Sequence, residues 1–258
     1  METEKVEVRF FTQVIGADRE PDTLFVNGLV LSNVEGLRYV KAKAFIDCTG
    51  DAVLANICGV PCDVARPAMP PTLMALLADA NWENIDLMPG GGQIKDLKKC
   101  VDQAISDGFF SQPDRHVPGL FQSSGSLCAM NTGKIFGMDP LSCRSLSDSM
   151  RTGRRMVQEY LNFFRSYCKG CETLRLATTA NVLGLRNSRY IKGEYRLGID
   201  DYKAKRVFPD QIAISAGNRD IHPYNCSKEE YERFVREFKG RKYFDQGEYF
   251  GIPSGLLT

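Results

Sequence analysis

Apolar and polar residues alternate along three short segments at the start of the chain, KVEVRFFTQVI (5–15), TLFVNGLVLS (23–32) and LRYVKAKAFID (37–47). Alternation with a period of two is typical of a β-strand that covers a core with one face. The stretch NVEG separates the second segment from the third and supplies a turn that ends in glycine. The pattern therefore predicts a three-stranded β-meander.

The third segment leads into FIDCTGDAVLANICGVP (45–61), where the chain bends at Thr49-Gly50-Asp51 and a short helix is predicted over 51–60. At the carboxyl end of a parallel strand, such a turn allows a cofactor to approach the backbone. An acidic side chain there can bind a ribose or ribityl hydroxyl. The same residues also suit a plain strand-to-helix turn in which Asp51 is only an N-cap.

Helical periodicity dominates the chain after residue 66 and predicts helices over 94–110, 145–167 and 227–240. Ser145 is the expected N-cap of the second helix, with Asp148 completing a capping box. Strands are expected near 72–80, within 120–133 and within 174–197, and LMPGGGQ (87–93) is expected to be a loop. The fold class is mixed α/β.

Composition excludes several functional classes. The formal net charge is +1, which gives no electrostatic reason to expect nucleic acid or an anionic membrane surface as a partner. No apolar run approaches the roughly 20 residues that span a bilayer. Nine cysteines without framework spacing indicate a reducing, cytoplasmic setting.

Cys168-Lys-Gly-Cys171 has the spacing of a thiol redox motif, but it follows a helix instead of opening one. We interpret the spacing as chance and expect no metal site. A thiol redox function would require a depressed pKa in this pair.

Two arginines and a histidine are the main candidates for chemistry. Arg186 and Arg189, in GLRNSR, are suited to hold a carboxylate or a cofactor by paired hydrogen bonds, or to form a structural ion pair with Glu194 or Asp200. His222, in RDIHPYN, is one of only two histidines and is either a proton-transfer group or a loop residue that caps backbone groups.

Two further residues are weaker candidates. Asn131, at a strand end, is a possible substrate contact, although a polar turn is the better interpretation. The second histidine, His116 in DRHVPG, is expected at the surface.

The order of these motifs resembles the FAD-dependent oxidoreductase family that is related to the fumarate reductase and succinate dehydrogenase flavoproteins. The resemblance includes the meander, FIDCTGD and PPTLM, and it continues downstream over nearly all of the chain in the same order. The downstream motifs are NTGKIFGMD (131–139), GRRMVQEYLNFFR (153–165), GLRNSRYIKGEYRLGIDD (184–201), RDIHPYN (219–225) and FGIPSGLL (250–257).

The resemblance implies a division into three parts. Residues 1–66 would be the distal part of an FAD-binding domain, 67–245 a substrate-type domain of α+β architecture, and 246–258 a segment that returns toward the FAD domain. Hydride transfer between a small organic substrate and FAD is the implied reaction.

The resemblance also implies roles for individual residues. Val14, Thr49, Gly50 and Asp51 would contact FAD. Arg186 would be the anion clamp and His222 the proton-transfer group. Arg189 and Asn131 would contact substrate.

The sequence departs from the family at several points. It has no GxGxxG loop, Asn187 and Ser188 replace a glutamate that the family commonly has, and Cys48 replaces an alanine. We therefore expect a fragment of the complete enzyme that requires a complementary chain carrying the GxGxxG half. The alternative is a non-catalytic remnant or a split-gene half that acts as a partner module without binding FAD by itself.

Overall fold

The structure, a computed structural model, describes residues 6–23, 25–88, 94–217, 219–240 and 242–256. Within these ranges the chain has a mixed α/β fold, as predicted. The strands are β1 (Gln13–Arg19), β2 (Val26–Asn33), β3 (Gly36–Val40), β4 (Cys62–Val64), β5 (Ala75–Ala78), β6 (Leu120–Ser124), β7 (Leu127–Met130), β8 (Arg175–Thr179), β9 (Arg189–Ile191), β10 (Gln211–Ser215) and β11 (Phe250–Pro253). The helices are α1 (Val53–Ile57), α2 (Leu97–Ser106), α3 (Cys143–Tyr167), α4 (Ile199–Lys203) and α5 (Lys228–Glu237).

The described residues form two compact units. Unit 1 draws on Met1–Ala65, Arg189–Gly217 and Tyr243–Thr258, and unit 2 on Arg66–Ser188 and Asn218–Lys242. The predicted first boundary at 66 lies close to the observed one. The segment from Arg189 to Gly217 packs in unit 1, whereas the sequence analysis placed it in the substrate-type domain. The roles assigned to the two parts stay predictions.

Unit 1 contains the predicted meander, in which β1 pairs antiparallel with β2 and β2 with β3. Its first strand begins later than predicted, since β1 starts at Gln13 and the described residues before it form no strand. Phe11 adopts a left-handed conformation with φ of 51°, which bends the chain directly before β1. A small core of Leu29, Leu54 and Cys58 lies between the meander and α1.

The third predicted strand is also shorter than expected. β3 ends at Val40, and residues 41–48 form no strand with any described residue. Alternation is present here, because Phe45 packs toward the small core while Ile46 is 85% exposed. The alternation indicates an extended segment. It does not show whether a neighbouring strand is present to form hydrogen bonds with that segment.

Unit 1 contains two further pairs of strands that are far apart along the chain. β4 pairs antiparallel with β9, and β10 pairs antiparallel with β11. Tyr202 of α4 packs with Phe244 and Phe250 in edge-to-face ring contacts with centroids 5.0 and 5.2 Å from the Tyr202 ring. Packing of these aromatic rings therefore holds α4, β11 and the segment at Phe244 together in unit 1.

Unit 2 contains a four-stranded antiparallel sheet in the order β6-β7-β5-β8. The predicted stretch 120–133 is thus a hairpin of two strands. Helix α3 buries Met156, Val157, Tyr160, Leu161 and Phe164 in the main core, at the spacing of one helix face. Residues 89–93, which include the predicted glycine loop Gly90–Gly92, lie outside the described residues.

The N-terminus of α3 differs in detail from the prediction. Ser142, not Ser145, is the N-cap, and its hydroxyl accepts a hydrogen bond from the Ser145 amide at 3.2 Å. Asp148 instead pairs with Arg151 one turn on. The predicted capping box is therefore wrong, because a serine three residues earlier satisfies the first turn.

No helix in the described part of the chain has both the length and the apolar character needed to cross a membrane.

The turn after α3 gives a test of packing in unit 2. Gly170 has a φ of 86°, and a Cβ atom there would lie 2.3 Å from the Asn84 carbonyl oxygen, whereas Gly108 has a φ of 68° and open space around it. We expect Gly108→Ala to cost about 1 kcal/mol of unfolding free energy from backbone strain alone. Gly170→Ala should cost at least about 2 kcal/mol more because a backbone atom blocks the new methyl group. Urea unfolding followed by circular dichroism measures both, and equal losses would contradict the packing.

Candidate functional site

Thr72, a β-bridge residue in unit 2, positions Lys134 and the segment that carries the candidate Arg186. Thr72 forms antiparallel bridges with Lys134 on one side and with Gly184 on the other. The Gly184 amide donates to the Thr72 carbonyl at 2.9 Å. These contacts fix the backbone of Lys134, just after β7, and of the segment that carries Arg186 two residues beyond Gly184.

Lys134 forms a buried ion pair. Its Nζ donates to Asp114 Oδ2 at 2.8 Å and to the His116 carbonyl at 2.6 Å. The side chains are only 6% and 3% exposed, and the other Asp114 oxygen accepts from the His116 amide at 2.9 Å. Burial lowers the pKa of Lys134, although the Asp114 carboxylate opposes that effect. The pair ties the 114–116 loop to the end of β7.

A second group of charges comes from the loop before α5. Asp220 forms an ion pair with Arg186, and its other oxygen lies 2.9 Å from Nε2 of His222. Nε2 finds no hydrogen-bond partner among the described residues, so its contact with Asp220 is a close approach of the two groups without a full hydrogen bond. The contact is therefore mainly electrostatic. Burial would raise the pKa of Asp220, but the charges of His222 and Arg186 outweigh it and lower the pKa.

The two histidines face each other. Nδ1 of His222 lies 3.4 Å from Nδ1 of His116, and the ring centroids are 5.3 Å apart. Burial, Lys134 and His222 together lower the pKa of His116 to about 3. Burial is also the main reason that the pKa of His222 is lowered, followed by Arg186 and Lys134, while Asp220 raises it. Both imidazoles are therefore neutral near pH 7.

These six residues form what we call the histidine cluster: Asp114, His116, Lys134, Arg186, Asp220 and His222. A cleft of about 330 Å³ lies beside it, with His116 and His222 in its wall. Phe234 of α5 packs on the His116 ring with centroids 4.9 Å apart, and Phe238, Lys239 and Gly240 also line the cleft. The arrangement offers a small ligand both an apolar wall and a proton-exchanging group.

The structure brings together two of the predicted site residues. Arg186 and His222 meet through Asp220, so the ion-pair alternative for Arg186 is right in kind, but its partner is Asp220 and neither Glu194 nor Asp200. Asn131 directly follows β7 and is partly buried, and it makes no hydrogen bond to the described residues of the cluster. Their functional roles stay predictions.

The remaining candidates lie in unit 1. Val14 packs against the small core of the meander. Arg189 begins β9, and its guanidinium donates to the Asp51 carbonyl at 3.3 Å. Arg189 therefore belongs to the same unit as the 49–51 turn.

The turn at 49–51 is organised by a residue that the sequence analysis did not single out. Asp47 accepts from the Thr49 amide and hydroxyl at 2.9 and 2.7 Å and from the Ala55 amide at 3.0 Å, and the Thr49 hydroxyl accepts from the Val53 amide at 2.9 Å. These bonds already occupy amides at the start of α1. The N-cap position is Ala52, so the interpretation of Asp51 as an N-cap is wrong.

Gly50 leaves the backbone of this turn open. Its φ is 79°, and no atom lies within 4 Å of the position that a Cβ would occupy. The turn can therefore be approached closely by a ligand. Hydroxyl groups suit its polar atoms, whereas a phosphate would have to compete with Asp47 and Thr49 for the helix amides.

The cysteine pair does not support thiol chemistry. Cys168 and Cys171 are buried in the core of unit 2. Burial raises the pKa of the Cys171 thiol to about 12 and raises that of Cys168 as well. The depressed pKa that a thiol redox function requires is absent from this pair.

Four members of the cluster were not predicted as functional residues from the sequence: Asp114, His116, Lys134 and Asp220. The prediction of a surface position for His116 is wrong, because it is held against His222 and Phe234. Lys134 lies in the quoted segment NTGKIFGMD, and Asp114 stands two residues before His116. The D-x-H spacing is a weak local signal for a carboxylate that orients a histidine loop. Only the fold shows that Lys134 forms the ion pair with this carboxylate.

Comparison with known proteins identifies a family for the chain. A family model described as FAD dependent oxidoreductase matches residues 1–258. No curated protein matches the chain.

The buried ion pair makes a direct prediction about stability. Lys134→Met leaves the Asp114 carboxylate buried without its counter-charge, which should cost about 3–5 kcal/mol of unfolding free energy. The double variant Lys134→Met/Asp114→Asn should recover part of that loss, since no charge is then left unpaired. Chemical denaturation of the two variants measures this. A double variant at least as destabilised as Lys134→Met would contradict the pairing.

The low pKa of His116 predicts a pH dependence of stability. A histidine in an unfolded chain has a pKa of about 6.5. Below that pH the unfolded state binds the proton and the folded state does not, so the free energy of unfolding falls as the pH falls toward about 3. Between about pH 7 and about pH 5, the wild type should lose about 1–2 kcal/mol more than His116→Gln. Parallel losses in the two proteins would show that His116 titrates normally.

Proposed function

Since the chain belongs to the FAD dependent oxidoreductase family, we propose that it takes part in hydride transfer between a small organic substrate and FAD. The match over residues 1–258 carries the flavin part of this proposal. The contact of Arg186, Asp220 and His222 supports the part assigned to unit 2. The finer likeness to fumarate reductase and succinate dehydrogenase flavoproteins belongs to the proposal as well.

FAD, when bound, would supply the hydride acceptor, and this chain's residues would bind the substrate and accept its proton. Arg186 is partly exposed, with 26% of its side chain accessible, and so can bind an anionic or hydroxyl group while it stays paired with Asp220. His222, neutral near pH 7, is the group on which the proton from a substrate hydroxyl comes to rest after the C–H bond is broken. Asp220 stabilises the resulting imidazolium because its carboxylate faces Nε2.

The described residues fit one part of the cofactor. The open backbone at Gly50 and the polar groups of Thr49 and Asp51 suit the hydroxylated chain of FAD, with Arg189 nearby. They do not offer a phosphate cradle. All named strand pairs in the described residues are antiparallel, and α1 has only five residues, with amides already bonded to Asp47 and Thr49.

The pyrophosphate of FAD must then be held by residues outside this set. We propose a complementary polypeptide that carries a GxGxxG segment. Exposed apolar side chains in unit 1 support such a partner, since Phe11, Val34 and Ile46 are 94%, 97% and 85% exposed. Under the alternative, a non-catalytic partner module, the same surface binds a protein but no flavin is held. Nine free cysteines favour a reducing compartment, the cytoplasm, for either form.

Flavin uptake tests the proposal first. The purified chain is incubated with FAD, passed through a desalting column and measured for flavin absorption, alone and after co-expression with a chain that supplies a GxGxxG half. We expect flavin to be retained in the co-expressed form and Asp51→Asn to weaken retention, with Glu35→Gln as a control for charge on the same unit. Absence of flavin in both preparations would leave only the partner-module function.

The role of His222 is tested on the flavin-loaded form. We expect His222→Gln to slow flavin reduction by a panel of small hydroxy acids and alcohols by about 10²-fold or more, without weakening FAD retention. Arg175→Gln, which removes an exposed arginine of unit 2, should leave the rate unchanged. Reduction of the His222→Gln form at the wild-type rate would exclude His222 as the proton acceptor.

A further inference from the structure

The contact between the two imidazoles restricts which nitrogen of each ring carries the proton. Nδ1 of His116 and Nδ1 of His222 are 3.4 Å apart, within hydrogen-bond reach. A neutral imidazole carries one N–H and one bare nitrogen. The two rings can therefore share a hydrogen bond only if one of them is protonated at Nδ1 and the other is bare at Nδ1.

Asp220 decides which ring is the donor. Its Oδ1 lies 2.9 Å from Nε2 of His222. A bare Nε2 would place its lone pair close to a carboxylate, and the two negative regions would repel each other, whereas an N–H at Nε2 is attracted to the carboxylate even without a full hydrogen bond. His222 is then protonated at Nε2 and bare at Nδ1. His116 must be protonated at Nδ1, which leaves its own Nε2 bare.

We propose that His116 is a proton-relay residue that delivers protons to His222. The O–H bond of water or of a substrate hydroxyl breaks, its oxygen keeps the electron pair, and the proton binds to the lone pair of Nε2 of His116. The Nδ1–H bond of His116 breaks, and that proton forms an N–H bond at Nδ1 of His222. His116 ends neutral with its proton at Nε2, and His222 ends as an imidazolium beside Asp220, so one proton enters and one positive charge appears on His222.

Burial, together with the surrounding charges, explains why the positive charge moves on from His116. His116 faces the Lys134 ammonium, Lys239 and His222, with the Phe234 ring stacked against it and Asp220 as the acidic group that acts on it. His222 faces Asp220 directly, together with Arg186 and Lys134. The pKa of His116 falls to about 3, whereas Asp220 acts to raise the pKa of His222. A proton on His222 is thus better stabilised than one on His116.

In this proposal the proton enters the relay at the bare Nε2 of His116. It is on the edge of the His116 ring away from His222, no described residue donates a hydrogen bond to it, and His116 forms part of the wall of the cleft of about 330 Å³. Small proton donors can enter a cleft of this size. The relay rests on the proposed function only for the identity of the donor, because the proton positions follow from the folded chain without FAD.

Nitrogen NMR of the histidine rings tests the relay without any flavin. The chain has only two histidines, so a sample labelled with ¹⁵N-histidine gives four ring-nitrogen signals, which His116→Gln and His222→Gln variants assign. Near pH 7 we expect His116 in its Nδ1–H form and His222 in its Nε2–H form. Both rings in the Nε2–H form, as is usual for exposed histidine, would overturn the relay, even if flavin binding and activity are found.

A substitution at Asp220 separates the relay from a packing role. Asp220→Ala removes the group that fixes the His222 tautomer, so we expect both rings to shift toward a mixture of tautomers and the pKa of His222 to fall further. Asp86→Ala removes an exposed acid of unit 2 that pairs with Lys95 and should leave all four signals unchanged. Wild-type tautomers in a folded Asp220→Ala protein, judged by its circular dichroism, would contradict the proposal.

Discussion

The buried pair of Lys134 and Asp114 is the contact on which the histidine cluster depends. Two charges withdrawn from water are tolerated only when each is closely paired and hydrogen-bonded. Lys134 meets this demand with one bond to Asp114 and one to the His116 carbonyl, and Asp114 uses its second oxygen on the His116 amide. The pair therefore fixes the backbone of His116, and with it the ring that faces His222.

The same pair sets the electrostatics of the cluster. Burial and the Lys134 ammonium disfavour a positive charge on both rings. The pKa of His116 falls to about 3, and its ring has no carboxylate contact among the described residues. The Asp220 carboxylate acts to raise the pKa of His222, whereas the Arg186 guanidinium acts to lower it. The result is one histidine that resists protonation and a neighbour that tolerates it better, which is the condition for directional movement of a proton.

The sequence predicted the regular elements better than the site. Strong helical periodicity located α2, α3 and α5, and alternation located the meander. The predictions failed where a strand needs a neighbour, since neither the residues before Gln13 nor those after Val40 find one among the described residues. At the N-terminus of α3, two serines competed for one cap, and local pattern alone could not choose between them.

Only part of the site could be predicted from the sequence, for a similar reason. Arg186 and His222 stood out by residue type and by the family resemblance, and the structure joins them through Asp220. His116 is 106 residues away from His222 along the chain, and a loop histidine without a motif gave no sign of that contact. Asp47 was likewise passed over, because its bonds to the 49–51 turn and to α1 depend on backbone geometry.

Burial and the Lys134–Asp114 pair together keep both imidazoles neutral near pH 7. A proton NMR titration of the ring C–H signals of the two histidines tests it most directly. We expect the His116 signal to stay constant down to about pH 4 and the His222 signal to titrate below the ordinary histidine pKa of about 6.5. If the His116 signal titrates near that ordinary value, the cluster does not lower the pKa of His116.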